Sequence, residues 1–489
     1  MRLWEGRGGS QAGAPGGSTR WILWEREGWE RPEAEAPGHT ETGHSQAGAV
    51  GGSGRVPSVP AREIPPPSRV DPDAAVHAII DARDVVIEYQ PVLDATHGQI
   101  VGFEALARGP AGPLRTPRRL FAAARAVGRA GELDWICRAA AFRTLMDAKL
   151  HPSLSLFVNV EPDSLITPCP EDLLPIIWEA ENRLRVFIDV PGQALLRHPV
   201  QVLESVRRAR AAGWGVVLDD LEFSAAAVSL LPTLEPDVIR LDQQTIRQGN
   251  ERAGAALAAA LTESERMGTA LLVDSVEEEP GSLARTVAAG FLQGRLLGAE
   301  GALPAVVPPP LAPVPLRTPT ADSRSLWEVV EESSRLSASE VRDESLTRLM
   351  RQFIGQAARG PDLPVVGVVT SIYRATTMET AGQYRATLEN CPVSVLIGRD
   401  MAVFQDWRTR VAEPPPGHPL EGELCFLALS TTHSSVLVAR PTSVRDGRAE
   451  AWDVVFSHDP LTCRRVMREL LHHMDHLEGG VLSEGEKAR

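Results

Sequence analysis

Between Val76 and about Gly301, short β-branched runs alternate with longer stretches rich in Ala, Leu and Arg. That alternation limits the fold more than any other feature of the chain. Strands that recur with a helix between them form a mostly parallel sheet covered by those helices, because parallel neighbours need a crossover connection. The runs Asp84–Tyr89, Ile100–Leu106, Leu154–Val160, Arg185–Val190, Gly215–Asp219, Val238–Leu241 and Ala270–Val273 read as strands. Thr116–Val127, Glu132–Ala148, Pro199–Ala212 and Asn250–Met267 read as helices. Seven such strands fit a (β/α) barrel better than an open sheet, since a barrel of this kind takes roughly 250 residues. Its functional residues would stand at the C-terminal mouth of the strands.

The flanks have a different character. At 489 residues the chain exceeds one ordinary core, and its 41 Gly and 39 Pro exceed what folded elements use. Residues 1–76, rich in Gly, Pro, Ser, Glu and Arg, read as a disordered low-complexity tail. Trp4, Trp21, Trp24 and Trp29 in that tail are either a docking motif or part of an extension with no role. The barrel domain is expected over 77–301, and a proline-rich spacer over 302–322. A second, smaller α/β domain follows over 323–480, with a disordered end at 481–489. In that domain Leu326–Ala358 reads as a helix, and Val365–Val369, Val393–Ile397, Leu424–Leu429, Ser435–Ala439 and Ala451–Phe456 as strands. A closing helix is expected around Arg464–His476.

The net charge of −14 argues against long-range attraction to a nucleic acid polymer or an anionic membrane, so a phosphate-bearing ligand needs a local site. Five scattered cysteines without a Cys-x-x-Cys pair read as reduced core thiols. No apolar run approaches the ~20 residues of a membrane helix, and the N-terminus makes a poor secretion signal. A cytoplasmic location is expected. His472, His473 and His476 on the closing helix read as surface histidines, with a weak metal pair as the alternative.

At the strand ends of the first region acids, amides and one cation recur: Glu104, Asn159, Asp189, Asp219 with Asp220, Arg240, Asp274 with Glu277, and Gln293. Carboxylates converging on one mouth repel each other unless cations lie between them, which suits Mg²⁺ or Mn²⁺. Two such ions bridged by Asp219 would form a clamp for displacement at phosphorus. Taken singly, each acid is more simply a helix cap or a solvated end; the Asp-Asp pair closing an apolar run is what favours a site.

The stretch Tyr89-Gln90-Pro91-Val92 and then Val101-Gly102-Phe103-Glu104-Ala105-Leu106-Ala107-Arg108 resembles the opening of EAL domains. Leu120-Phe121, Glu132-Leu133-Asp134, Phe157-Val158-Asn159-Val160, Val217-Leu218-Asp219-Asp220, Arg240-Leu241-Asp242 and Gln293-Gly294 follow in the family's order. The resemblance implies a modified TIM barrel that binds cyclic di-GMP and opens it to linear pGpG with two divalent ions. Carried over by position, it implies Glu104, Asn159, Asp189, Asp219 and Asp220 as metal ligands. It implies Gln90, Arg108 and Asp242 as nucleotide contacts, and Arg240, Asp274 and Gln293 in the catalytic half. EAL barrels often pair, so a homodimer is the assembly implied.

The departures fall on the water-activating half. Asp189-Val190-Pro191-Gly192 stands where the family has Glu-x-Thr-Glu, which shortens one ligand and removes a second. The loop Leu221-Glu222-Phe223-Ser224 lacks the family's two glycines. Arg240 replaces a lysine and Asp274 a glutamate. A guanidinium keeps the charge of an ammonium but not its compact shape. The expectation is a nucleotide-binding barrel with weak or absent turnover; an active phosphodiesterase and a pure interaction protein are the alternatives.

From about Pro364 the chain resembles a DICT sensory module through Val365–Thr370, Tyr384-Arg385, Val395–Gly398, His418–Leu424 and Val436–Arg440. The implied role is to couple the barrel to a signal or a signalling partner.

Overall fold

The structure, a computed structural model, describes residues 72–486 apart from 162–163, 165–166, 220–224, 244–246, 248–250, 278–286, 318–324, 334–337, 358–364, 374–384, 386, 390, 400, 407 and 431–432. The tryptophans of the first 30 residues, Asp220, the loop 221–224 and Tyr384 therefore lie outside the described residues.

Eight strands close a barrel: β1 (Val86–Asp94), β2 (Ile100–Arg108), β3 (Ser155–Asn159), β4 (Arg185–Pro191), β5 (Gly215–Asp219), β6 (Val238–Asp242), β7 (Ala270–Asp274) and β8 (Phe291–Leu292). The seven strands read from the sequence are all present. The eighth is only two residues long, too short for any periodicity to register. β2 to β8 run parallel, whereas β1 is antiparallel to both β2 and β8, so the barrel is a modified (β/α) barrel. Outside it lie α1 (Pro72–Ala82), α2 (Pro117–Ala126), α3 (Ala130–Ala148), α4 (Leu174–Arg183), α5 (Gly192–Arg197), α6 (Pro199–Ala211), α7 (Ala225–Leu234) and the helix Glu251–Met267.

Period-2 alternation builds the interior in layers. Val92, Phe157, Phe187, Val217, Val238, Leu272 and Phe291 fill one apolar layer. Phe157 and Phe187 stack at 5.1 Å within it. Gly215 is dictated by this packing, because a Cβ there would lie 2.2 Å from the Phe187 ring. The proline-rich segment expected as a spacer lies, as far as Arg317, against the N-terminal end of the barrel. Val314 joins the apolar layer, and Arg317 donates from its backbone N–H to Asp237 at 2.7 Å and from its guanidinium to Thr269 at 2.8 Å.

The second domain is a seven-stranded sheet in the order β12-β11-β10-β13-β14-β15-β9: β9 (Ser339–Arg342), β10 (Val365–Val369), β11 (Ser394–Ile397), β12 (Thr409–Ala412), β13 (Leu424–Leu429), β14 (Ser434–Arg445) and β15 (Arg448–Ser457). Both faces are covered, so β13 reads Leu-Cys-Phe-Leu-Ala-Leu without a polar break. Leu424, Phe426 and Ala428 pack with Leu346, Met350 and Phe353 of the helix Asp343–Ala357. Cys425, Leu427 and Leu429 face the opposite way, toward the core that holds Leu326, Val466 and Leu470. The single helix expected over Leu326–Ala358 is instead Leu326–Ser333, β9 and Asp343–Ala357. Glu423 fixes the first of these helices by accepting from the backbone N–H groups of Leu326 (2.9 Å) and Trp327 (3.2 Å).

The closing helix Pro460–Glu486 lies on the sheet and also touches α7 of the barrel. Arg464 there forms two bonds to Glu263, at 2.8 and 2.7 Å, and Arg468 bonds Glu235 at 2.6 Å. The surface reading fails for His473, which is buried against His418 because it lies on the sheet-facing side of this helix. All five cysteines are free thiols, four of them buried. Among the described residues no helix is long and apolar enough to cross a membrane.

Candidate active site

The residue two positions beyond each apolar layer member points into the same lumen, one step nearer the mouth. This puts Asn159 above Phe157, Asp189 above Phe187, Asp219 above Val217, Arg240 above Val238, Asp274 above Leu272 and Gln293 above Phe291. On antiparallel β1 the step runs backwards, so Gln90 stands above Val92, and the register pairs Gln90 with Glu104. One polar layer thus caps one apolar layer. Gly294 turns the chain away after Gln293 at φ +147°, where a Cβ would lie 2.3 Å from the Val276 backbone.

Arg240 organises this layer. From β6 its guanidinium crosses the lumen and donates Nη1–H to Glu104 (3.0 Å) and Asp219 (3.4 Å), and Nη2–H to Asp189 (2.5 Å). The Glu104 Oε1 atom also accepts from Asn159 at 3.1 Å. Gln293 Nε2 donates to Glu104 Oε2 (2.5 Å) and to Gln90 Oε1 (3.1 Å). Gln90, Glu104, Asp189, Arg240 and Gln293 are all buried, while Asp219 is partly open to the mouth.

The electrostatics follow from one guanidinium shared among several acids. Burial pushes Glu104 up, but the Arg240 charge and the hydrogen bonds from Gln293, Arg240 and Asn159 outweigh it and hold the carboxyl below its usual range. Asp189 is pushed well up, first by burial and then by Glu104, Asp219 and Asp274, with Arg240 offsetting only part. Its Oδ1 atom is buried without a hydrogen-bond partner. Burial opposes the charge on Arg240, yet Asp189, Asp219, Glu104 and Asp274 together raise its pKa well above the ordinary value. Burial lifts Asp274 to about 6.

Of the remaining residues singled out in the sequence, Asp242 sits at the end of β6 in register with Asp274. Glu277 lies exposed beyond β7. Arg108 stands at the rim on the β1 side, bonded to Glu88 at 2.8 Å and to Glu300.

A cavity of about 760 Å³ opens beside the polar layer, between β2, β3 and β4 on one side and α2 and α3 on the other. Asn159, Asp189 and Asp219 line it together with Arg118, Arg125, Arg138, Arg197 and His198, and with the acids Asp134 and Glu161. Arg125 bonds Glu161 at 2.6 Å, and Arg138 bonds Asp134 at 2.8 Å while lying 3.7 Å over the Trp135 ring. Reading strand ends alone passes over these cations, which sit on helices and loops. Their signal is the clustering of arginines at 118, 125 and 138 on the two helices that follow β2.

Among the described residues, the implied ligands Glu104, Asn159, Asp189 and Asp219 do not fit a metal as they stand, and Asp220 lies outside the described residues. Both Glu104 oxygens accept hydrogen bonds, and the guanidinium occupies the space that Glu104, Asp189 and Asp219 would turn toward a metal. Among the described residues no group of three or more acid, histidine or cysteine side chains has the arrangement of a metal site.

The chain is similar to the "Probable cyclic di-GMP phosphodiesterase PdeB" of Escherichia coli, 26% identical over 171 residues, which is 34% of this chain and 33% of that protein. An "Uncharacterized signaling protein" of Caulobacter vibrioides is 26% identical over 205 residues, 40% of this chain and 25% of that one. The chain thus spans a quarter to a third of the length of these curated relatives. Among solved structures, "PaMucR Phosphodiesterase, c-di-GMP complex" is 21% identical, with 47% of this chain and 98% of that one covered at a TM-score of 0.41. The "manganese/cy-diGMP complex" of Klebsiella pneumoniae BlrP1 at pH 6 is 24% identical, with 45% and 56% covered at a TM-score of 0.38. A family model described as "EAL domain" matches residues 73–300. With the family's barrel formed by the same span, residues 73–300 of this chain are an EAL domain.

Proposed function

We propose that the barrel is a receptor for cyclic di-GMP with little or no hydrolytic turnover, and that the C-terminal sheet is a DICT-like sensory domain coupled to it. The observation that carries the reading is the cavity of about 760 Å³, within the ~300–1,000 Å³ of small-molecule sites, lined by both arginines and carboxylates. Arginine forks suit phosphodiester oxygens and the O6 and N7 acceptors of guanine, while carboxylates accept from the guanine N1–H and N2–H groups. The name of the Escherichia coli relative, which speaks of cyclic di-GMP, supports the same ligand.

Low turnover is argued from Arg240. Hydrolysis at phosphorus needs an activated water, and Glu104, Asp189 and Asp219, the acids implied to hold the metal that would activate it, are hydrogen-bonded to a guanidinium that stays protonated. Coupling is supported by α7 of the barrel, which packs on β10, β13 and the closing helix.

The test is titration of the purified chain with cyclic di-GMP in the presence of Mg²⁺ or Mn²⁺, followed by analysis for pGpG. Saturable binding without product is expected. Steady product formation would establish the active phosphodiesterase instead, and neither binding nor product would leave the interaction protein.

A further inference from the structure

We infer that Arg240 is a built-in cation that holds the place of a divalent metal among Glu104, Asp189 and Asp219. In an eight-stranded barrel β6 stands across the lumen from β2. A side chain that serves Glu104 on β2, Asp189 on β4 and Asp219 on β5 must therefore be long, planar and forked. Arginine meets that need, with its two terminal nitrogens on three carboxylates at 2.5 to 3.4 Å. The guanidinium is as buried as its partners, 4% exposed against 6% for Glu104 and 0% for Asp189, so it is a fixed part of the layer and not a mobile surface arm.

The shortened acid is part of the same device. Asp189 makes the shortest of the three contacts, and a glutamate at that position would push its carboxylate into the guanidinium. Asp189 and Arg240 thus form one matched pair, a short acid facing a long cation. A divalent ion entering among Glu104, Asp189 and Asp219 would have to displace that cation and break all three contacts, or sit beside it against its charge.

The inference concerns the protein residues alone and does not rest on which nucleotide the cavity takes, so it can fail while the proposed function stands. The test uses the full chain, stripped of metal with a chelator and titrated with Mn²⁺ alone, with free Mn²⁺ read by electron paramagnetic resonance and the melting temperature followed in parallel. The wild-type protein is expected to show no saturable Mn²⁺ site and no Mn²⁺-dependent shift in melting. Arg240→Met opens the carboxylates and is expected to gain a saturable Mn²⁺ site, with a melting temperature that rises with Mn²⁺. Adding Asp219→Asn should abolish that gain. If Arg240→Met folds only with Mn²⁺ present, the inference is likewise supported. If it does not fold at all, Arg240→Lys decides, since the shorter ammonium keeps a positive charge but releases some of the acids and should gain a measurable Mn²⁺ site. Saturable Mn²⁺ binding by the wild type that is lost on Asp219→Asn overturns the inference, as does the absence of Mn²⁺ binding by every variant that folds.

Discussion

Removing one member of the Glu263–Arg464 pair should cost far more than replacing both. Glu263 lies on the barrel helix Glu251–Met267 and Arg464 on the closing helix of the sheet domain. Their side chains are 2% and 4% exposed and share two bonds at 2.7 and 2.8 Å. Glu263→Ala leaves an uncompensated buried guanidinium, and Arg464→Ala an uncompensated buried carboxylate. Each should cost about 3–5 kcal/mol, as breaking a buried ion pair does. The double change Glu263→Met with Arg464→Met fills the space with apolar atoms and leaves no buried charge, so it should be within about 1 kcal/mol of wild type or more stable. Urea denaturation followed by fluorescence and far-ultraviolet circular dichroism on the wild type, both singles and the double completes the cycle. Single-variant costs below about 1 kcal/mol, the worth of a surface pair, would refute the reasoning. So would a double variant as destabilised as the sum of the singles.

Other outcomes follow from the same physics. Asp274 has a folded-state pKa of about 6, raised by burial, so the fold prefers its protonated form. Its effect on stability is absent below the unfolded carboxylate pKa. It becomes a penalty as the pH rises from about 4 to about 6, growing by at most ~1.4 kcal/mol for each pH step of about one within that window. Asp274→Asn should therefore flatten the pH profile of the melting temperature over that window, and an unchanged profile would refute the assignment. Glu423→Ala removes the acceptor at the start of the helix Leu326–Ser333 and should lower stability by about 1–2 kcal/mol in a denaturation experiment. Gly215→Ala sets a methyl against the Phe187 ring and should cost about 1–3 kcal/mol, with part of that recovered when Phe187→Leu is added.

Much of the fold was legible because burial imposes a period. The barrel strands and helices announced themselves through runs of the right length, and the strands of the sheet domain through uninterrupted apolar runs that only a two-sided sheet can bury. β8 escaped because two residues carry no period, and β12 because Thr409–Ala412 mixes polar and apolar residues at the edge of its sheet. The polar layer was legible to the same degree. The rule that an apolar residue inside the lumen is followed two positions later by a polar one yields Asn159, Asp189, Asp219, Arg240, Asp274 and Gln293 at once. The alliances within the layer were not legible. Nothing along the chain says that Arg240 reaches across to Glu104 rather than toward a ligand, because that depends on barrel closure. Nor does it say that Arg108 is held by Glu88 and Glu300, since those partners come from β1 and from beyond β8.

We propose that this EAL barrel binds cyclic di-GMP with Arg240 among its mouth carboxylates and without metal-driven turnover. The most direct test is calorimetric titration of the full chain with cyclic di-GMP in excess chelator, repeated in Mn²⁺, with both mixtures then analysed for pGpG. The same saturable binding is expected in both conditions, with no product in either. Binding that requires Mn²⁺, accompanied by steady formation of pGpG, would contradict the claim.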